Sequence, residues 1–125
     1  MKAFILVVDD SADYRRIFSR ILASAGYRPL SAASAEEARL VLKTAAPDAA
    51  LLDWNLPGDS GLELAREIRR DPALSRMPLL MLSVNATPTE QIQGLREGGV
   101  NAYLVKPVNA QELLARLGTL LEKCK

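Results

Sequence analysis

The chain has 125 residues, of which 49% are hydrophobic and 25% charged, and its formal net charge is +1. This length and composition predict one soluble globular domain over residues 1–125, and the charge gives no reason to expect nucleic acid or an acidic membrane as a partner. The sequence has no histidine and one cysteine, Cys124, which excludes histidine-based catalysis, zinc sites and internal disulfides.

The first apolar run, residues 4–8, predicts a buried strand that ends at the adjacent acids Asp9 and Asp10. The run is too short for a signal sequence or a membrane span, so we expect a cytoplasmic protein. A helix is predicted over residues 11–26. We expect its apolar face to comprise Ile17, Phe18, Ile21, Leu22 and Ala25, and its solvent-exposed face to comprise Arg15, Arg16, Ser19 and Arg20.

Strand and helix patterns then alternate to the end of the chain, and Ser/Thr-x-x-Glu signatures or Asn109 open the remaining helices. The further predicted elements are a weak strand at 28–33, a helix at 34–46, a strand at 49–52 ending at Asp53, a helix at 60–70, a strand at 79–82 ending at Ser83, a helix from 87 to Gly98-Gly99, a strand at 101–105 ending at Lys106-Pro107, and a helix from 109. The segment WNLPGDSG is predicted to be a loop.

This alternation predicts an α/β fold with a five-stranded parallel sheet covered by five helices on both faces. Strands one, three and four are almost wholly apolar, as interior parallel strands are. Strand two contains Arg28 and Pro29, and strand five contains Asn101 and Tyr103, which favour edge positions. The pattern therefore predicts the doubly wound strand order 2-1-3-4-5.

Five polar side chains follow the carboxyl ends of the predicted strands, where ligands bind in such sheets. They are Asp9, Asp10, Asp53, Ser83 and Lys106. Three neighbouring carboxylates repel each other unless a cation compensates them, and a site of oxygen ligands favours Mg²⁺, with Mn²⁺ as an alternative. A cation, an ammonium and a hydroxyl can hold a phosphoryl group, with the central Asp53 as its acceptor.

The segments VVDD, LLDWNLPGDSG, MLSVNA and YLVKP resemble the receiver domain of two-component response regulators, in particular the single-domain chemotaxis type. The resemblance covers the whole chain and implies a flavodoxin-like fold. It implies that Asp53 is the phosphoacceptor. It also implies that Mg²⁺ is bound directly by Asp10, mostly through water by Asp9, and by the backbone carbonyl of Asn55.

The same resemblance implies roles for residues on the last two strands. Lys106 would contact the phosphoryl group, and the Lys106-Pro107 bond would be cis. Ser83 would be the switch hydroxyl, and Tyr103 the aromatic residue that moves with it.

The implied function is a phosphorylation-activated signalling switch rather than an enzyme, since its only chemistry is phosphorylation and dephosphorylation of its own aspartate. A histidine kinase or a histidine phosphotransfer protein would be the phosphodonor. We expect no effector domain, so output would come from binding an unidentified protein through helix four, strand five and helix five. Helix four, with only Ile92 and Leu95 as large apolar residues and Gly94 inside it, is predicted to shift easily.

Simpler roles exist for each residue. The acid pair could cap helix one, Asp53 could be a turn residue, Lys106 could protect a sheet edge, and Tyr103 could be an ordinary edge aromatic. Other functions are a dehalogenase-type aspartyl phosphatase, a flavin-binding protein or a phosphorylation-independent scaffold. The spacing DDSAD does not fit the phosphatase, and Asp9 and Asp10 would repel a flavin phosphate.

Overall fold

The computed structural model describes residues 3–84 and 87–123. Within these ranges the elements, in chain order, are β1 (Phe4–Val8), α1 (Ala12–Ser24), β2 (Arg28–Ala32), α2 (Ala35–Ala45), β3 (Ala49–Asp53), β4 (Asn55–Leu56), β5 (Asp59–Ser60), α3 (Gly61–Arg70), β6 (Leu79–Ser83), α4 (Pro88–Arg96), β7 (Ala102–Val105) and α5 (Ala110–Lys123). Residues 85 and 86 of the MLSVNA segment and the single cysteine, Cys124, lie outside the described residues.

Five strands form one parallel sheet in the order β2-β1-β3-β6-β7. Counted along the chain within this sheet, the order is 2-1-3-4-5, which confirms the doubly wound α/β fold predicted from the sequence. The order reverses between β1 and β3, because the chain first adds β2 on one side of β1 and then places β3 on the other. The carboxyl ends of these two central strands therefore form the crevice where such folds bind ligands.

The hydrophobic core has two layers, one on each face of the sheet, because successive strand residues point to opposite faces. On one face Leu6, Val8 and Leu52 pack with residues of α2 and α3. On the other face Val7 and Leu51 pack with residues of α1 and α5. The three central strands are buried on both sides, which is why their sequences are continuously apolar rather than alternating.

Polar side chains begin all five helices as predicted, by accepting a backbone N–H from the first turn, and at α5 the Asn109 side chain accepts from the Glu112 amide at 3.1 Å. The Ser11, Ser34 and Ser60 hydroxyls accept from residues three positions later in α1, α2 and α3. Thr87 begins α4 with a complete capping box, in which Glu90 also accepts from the Thr87 amide. Local sequence therefore sets the start of each of these helices at the rim of the sheet.

Two details differ from the sequence predictions. The WNLPGDSG segment is not only a loop, because β4 and β5 form a short antiparallel ribbon within it. Ile17, expected in the core, is 48% exposed, because the buried side of α1 is centred on Phe18 and Leu22.

No helix within residues 3–84 and 87–123 is long and apolar enough to cross a membrane.

The sequence predicts a weakly anchored α4, whose large apolar side chains are Ile92 and Leu95. Ile92 is 54% exposed and Leu95 is 46% exposed. The one buried residue that this helix contains is Gly94. The helix is therefore held even more weakly than its composition suggests.

Candidate functional site

The backbone ladder of the sheet brings the predicted polar residues to one rim. Asp53 and Ser83 are the last residues of β3 and β6, and Asp9 directly follows β1. The ladder continues one residue beyond β7, because the Lys106 amide donates to the Ser83 carbonyl at 2.9 Å. Because parallel strands end at the same edge, these side chains meet although they are far apart in sequence.

Four of these residues are buried: Asp9, Asp53, Ser83 and Lys106 are each less than a tenth exposed. They are also the buried polar or charged residues of the part of the chain that the structure describes. Burying a charge is costly unless it is paired. Their concentration at one point indicates that the site has a function which offsets this cost, whereas a helix cap or an edge lysine would be solvated.

The Lys106 ammonium lies between two carboxylates. Its Nζ is 2.5 Å from Asp9 Oδ2 and 3.6 Å from Asp53 Oδ1. Asp9 is fixed by further bonds, since its Oδ1 accepts from the Ser11 amide at 2.9 Å and its carbonyl accepts from Arg15 Nη1 at 2.7 Å. Asp9 is thus the better paired of the two buried acids.

Asp53 is the less compensated carboxylate. The Asn55 amide donates a long hydrogen bond of 3.4 Å to its Oδ1. Burial, followed by repulsion from the Asp9 carboxylate, raises the pKa of Asp53 to about 6, and attraction to Lys106 only partly opposes this rise. The charged form of Asp53 is therefore less stabilised by its surroundings than a solvated carboxylate would be.

The acid cluster fits a hard divalent cation. Asp9, Asp10 and Asp53 each offer a carboxylate oxygen, and these three atoms lie within 4.8 Å of one another. Asp10 is exposed, so the cluster opens to solvent on its side. The three carboxylates outnumber the two cations, Lys106 and Arg15, that contact Asp9. An oxygen-only donor set with excess negative charge is what Mg²⁺ or Mn²⁺ requires.

Tyr103 and Trp54 connect this rim to α4. Their ring centroids are 6.1 Å apart, and a Cβ added at Gly94 of α4 would lie 3.2 Å from the Tyr103 ring. The Tyr103 hydroxyl is buried and forms no hydrogen bond of ordinary geometry with the described residues. Burial raises the pKa of Tyr103, and an interaction with the Ser83 side chain opposes that rise.

The remaining predicted residues lie where their strands end. Asn55 follows Asp53 by two residues and opens the β4–β5 ribbon. The Lys106-Pro107 peptide bond is cis. All the site residues predicted from the sequence therefore lie on or beside this rim.

Two residues at the site were not predicted. Arg15, expected on the exposed face of α1, instead donates to the Asp9 carbonyl. The Tyr14 ring lies over the Lys106 ammonium, with Nζ 4.1 Å from the ring centroid. Their position in the first turn of α1, which begins at the rim, could have indicated that they lie near the site.

Comparison with known proteins agrees with this geometry. A model of the response regulator receiver domain matches residues 5–118. The phosphate regulon transcriptional regulatory protein PhoB of Pseudomonas aeruginosa is 42% identical over 95% of this chain and 52% of its own length. The chain thus spans about half the length of the PhoB relatives it matches.

Two chemotaxis proteins of Vibrio cholerae match over nearly their whole length. CheY-3 is 37% identical over 95% of this chain and 92% of its own. The crystal structure of CheY4 superimposes with a TM-score of 0.90 at 32% identity, covering 96% of this chain and 99% of that chain. The family model and these matches show that the chain belongs to the response regulator receiver domain family.

Proposed function

We propose that the chain is a phosphorylation-activated switch in which Asp53 accepts a phosphoryl group from a phosphohistidine. The observation that carries the proposal is the position of Asp53, which is buried beside Asp9 with the Lys106 ammonium 3.6 Å from its Oδ1. Receiver domains take phosphoryl groups from histidine kinases. The 125 residues contain no histidine, so the donor histidine lies outside them, on a histidine kinase or a histidine phosphotransfer protein.

In the proposed reaction an oxygen of Asp53 attacks the phosphorus atom as the phosphorus–nitrogen bond breaks. The electron pair of that bond stays on the imidazole nitrogen, which takes up a proton, and Asp53 becomes an acyl phosphate. Lys106 then pairs with a phosphoryl oxygen through a charge-assisted hydrogen bond. Receiver domains are signalling domains, and this reaction on its own aspartate is the only chemistry we propose.

Receiver domains generally bind Mg²⁺ at an acidic pocket, and we propose that this chain does so. Asp9, Asp10, Asp53 and the backbone carbonyl of Asn55 would hold the ion, and Mn²⁺ would suit the same oxygens. When bound, the ion would neutralise charge on the phosphoryl oxygens.

The switch that we propose begins at Ser83, whose hydroxyl turns to donate to a phosphoryl oxygen. Tyr103 responds because it interacts with Ser83 and packs against Gly94 and Trp54. The Tyr103 hydroxyl is already buried, so we propose that the ring shifts within this pocket and moves α4 with it. Such coupling is typically worth about 1–3 kcal/mol, or roughly 5- to 150-fold in a partner's affinity.

The output surface in this proposal consists of α4, β7 and α5. Ile92, Leu95 and Val105 each expose close to half of their side chains there, which supports a protein partner rather than direct contact with nucleic acid. The partner is an unidentified downstream protein, and a histidine-kinase donor is consistent with a cytoplasmic location. The phosphatase and flavin-binding alternatives gain no support, because the central acid ends β3 and carboxylates end β1.

Phosphorylation by a small molecule tests the acceptor. Acetyl phosphate or phosphoramidate with Mg²⁺ should add one hydroxylamine-labile phosphoryl group, and Asp53→Asn should abolish the addition. Asp48→Asn is the matched control, because Asp48 immediately precedes the same strand at its opposite end. A modified peptide that lacks Asp53 would refute the proposal.

Two titrations test the ion and the switch. Mg²⁺ should change Trp54 fluorescence in the wild type much more than in Asp10→Asn, and equal responses would reject Asp10 as a ligand. Beryllofluoride, which stands in for the phosphoryl group, should shift amide resonances of residues 83–105 in the wild type and much less in Ser83→Ala. Shifts confined to the loops after Asp10 and Asp53 would reject the switch.

A further inference from the structure

The Lys106 ammonium is enclosed on more sides than its two ion pairs account for. Its side chain is 4% exposed. Asp9 and Asp53 contact the ammonium only through their carboxylate oxygens, so other groups must cover its remaining sides. A buried ammonium that is shared by two carboxylates needs a further contact to define its position. The structure supplies one in the ring of Tyr14.

Tyr14 presents the face of its ring to this ammonium. The 4.1 Å from Nζ to the ring centroid lies well within the roughly 6 Å range in which a cation is attracted to the negative face of an aromatic ring. The contact joins α1 to the residue after β7, two elements far apart in sequence. It also covers the ammonium with apolar surface, which strengthens its electrostatic interactions by excluding water.

The ring has a defined orientation. The Tyr14 amide donates to the Ser11 hydroxyl at 3.3 Å, which places Tyr14 in the capped first turn of α1. One turn later, Phe18 stacks on the Tyr14 ring with centroids 5.7 Å apart and an interplanar angle of 21°. Phe18 is 1% exposed, so the ring that faces Lys106 rests on the core.

We propose that Tyr14 is a positioning residue for Lys106, a proposal that rests on the function proposed above. In the proposed reaction the ammonium, whose close partner is Asp9 at 2.5 Å, reorients so that it also pairs with a phosphoryl oxygen on Asp53. A ring face attracts a cation over a broad area, whereas a hydrogen-bond acceptor fixes it at one point. Tyr14 therefore keeps the ammonium desolvated and beside Asp53 while it reorients.

The test compares Tyr14→Leu, which removes the ring, with Tyr14→Phe, which keeps it. The rate of Asp53 phosphorylation by phosphoramidate at saturating Mg²⁺ should fall about three- to thirtyfold in Tyr14→Leu. Tyr14→Phe should restore it to within about twofold of the wild type. The matched control is Tyr27→Leu, since Tyr27 lies just before β2 at the opposite edge of the sheet.

A spectroscopic measurement separates positioning from a general loss of structure. Protons above a ring face resonate upfield, so the Lys106 side-chain methylene signals, assigned with Lys106→Arg, should lie upfield of those of the exposed Lys43. The upfield shift should persist in Tyr14→Phe and in Tyr27→Leu and disappear in Tyr14→Leu. Circular dichroism melting of each variant establishes that it is folded.

The two proposals fail in different ways. If the wild type is not phosphorylated on Asp53, the proposed function is wrong. If it is phosphorylated and Tyr14→Leu reacts at the same rate, only the positioning role is wrong. Lys106 methylene signals without an upfield shift in the wild type would overturn the contact itself, whatever the variants do.

Discussion

Helices α3 and α4 each follow a central strand at the functional rim, yet they are attached to the sheet in opposite ways. Helix α3 buries Leu62, Leu64, Ala65 and Ile68, whereas the buried residue of α4 is Gly94. Burial of large apolar side chains supplies most of the free energy that holds a helix on a sheet. The comparison teaches that the strand bearing Asp53 leads into a firmly packed helix and the strand bearing Ser83 into a helix that buries little apolar surface.

The two ends of α4 also differ. At its carboxyl end Glu97 pairs with Arg66 of α3 at 3.3 Å, and the Gly99 carbonyl accepts from Arg69 Nε at 2.9 Å. A Cβ at Gly98 would lie 2.9 Å from the backbone carbonyl oxygen of Gly94 and 2.9 Å from Leu62 Cδ1, so a larger residue would force the backbone to shift. The carboxyl end is therefore tied to α3, whereas the amino end is held by the local capping box of Thr87 and Glu90.

Truncation of matched isoleucines gives the largest expected difference between the helices. Ile68→Ala in α3 should lower the free energy of unfolding by about 2–5 kcal/mol, because the side chain is 1% exposed and leaves a cavity. Ile92→Ala in α4 should cost less than about 1 kcal/mol, because that side chain is 54% exposed. Urea denaturation measures both. Equal losses would show that α4 is as firmly packed as α3.

Substitutions of Asp53 and Ser83, which end the two strands, should differ in how their effect on stability depends on pH. The folded-state pKa of Asp53, about 6, lies above the ordinary value of 3.8, so the folded protein binds this proton more tightly than the unfolded chain. Stability should therefore fall as pH rises through this window. Without divalent cations, Asp53→Asn should be more stable than the wild type by roughly 1–3 kcal/mol at pH 7 and by little near pH 4.

Ser83→Ala is the control for this pH experiment, because it changes the end of β6 without removing an ionisable group. Its stability difference from the wild type should be nearly constant over the same range. Thermal or urea unfolding between pH 4 and pH 8 provides the measurement. If the difference in unfolding free energy between the wild type and Asp53→Asn does not vary with pH, the pKa of Asp53 is not raised in the folded protein.

A pair of glycine substitutions tests the close approach of α4 to Tyr103. Gly118→Ala in α5 should stabilise the protein by about 0.5–1 kcal/mol, because the added Cβ meets only Tyr27 Oη, at 3.9 Å. Gly94→Ala should lack this gain, because its Cβ would meet the Tyr103 ring at 3.2 Å. Tyr103 ring resonances should shift in Gly94→Ala alone. Equal stabilisation by both would show that α4 and Tyr103 are not in contact.

The smallest effect is expected from the ion pair between the helices. Arg66→Gln should reduce global stability by at most about 0.5 kcal/mol, because both partners are partly exposed. Hydrogen exchange of the amides of residues 97–100 should nevertheless become faster, because the carboxyl end of α4 loses a tether. Arg116→Gln in α5, which removes the long 3.9 Å pair with Glu112, should leave those amides unchanged. Unchanged exchange in both variants would remove the distinction between the two ends of α4.

The sequence by itself determined the strand order and the set of acids at the rim. The hydrophobic pattern of a segment depends on its own residues, so the sequence predicts strands and helices directly. The polar residues and the proline of strands two and five identify these strands as the edges of the sheet. Because parallel strands end at one edge, Asp9, Asp53 and Ser83 had to meet once that order was known. The capping residues fixed where the helices begin for the same local reason.

Only the tertiary structure decided how these groups pair and how far the apolar side chains of α4 are exposed. The Lys106 ammonium lies closer to Asp9 than to Asp53, and the Tyr14 ring covers it. These contacts join elements that are far apart in the sequence, so no local sequence pattern predicts their distances. Ile92 and Leu95 have the composition of anchors, but burial depends on what lies opposite a side chain. Gly94 is the residue through which α4 approaches Tyr103 of β7, and Ile92 and Leu95 remain about half exposed beside it.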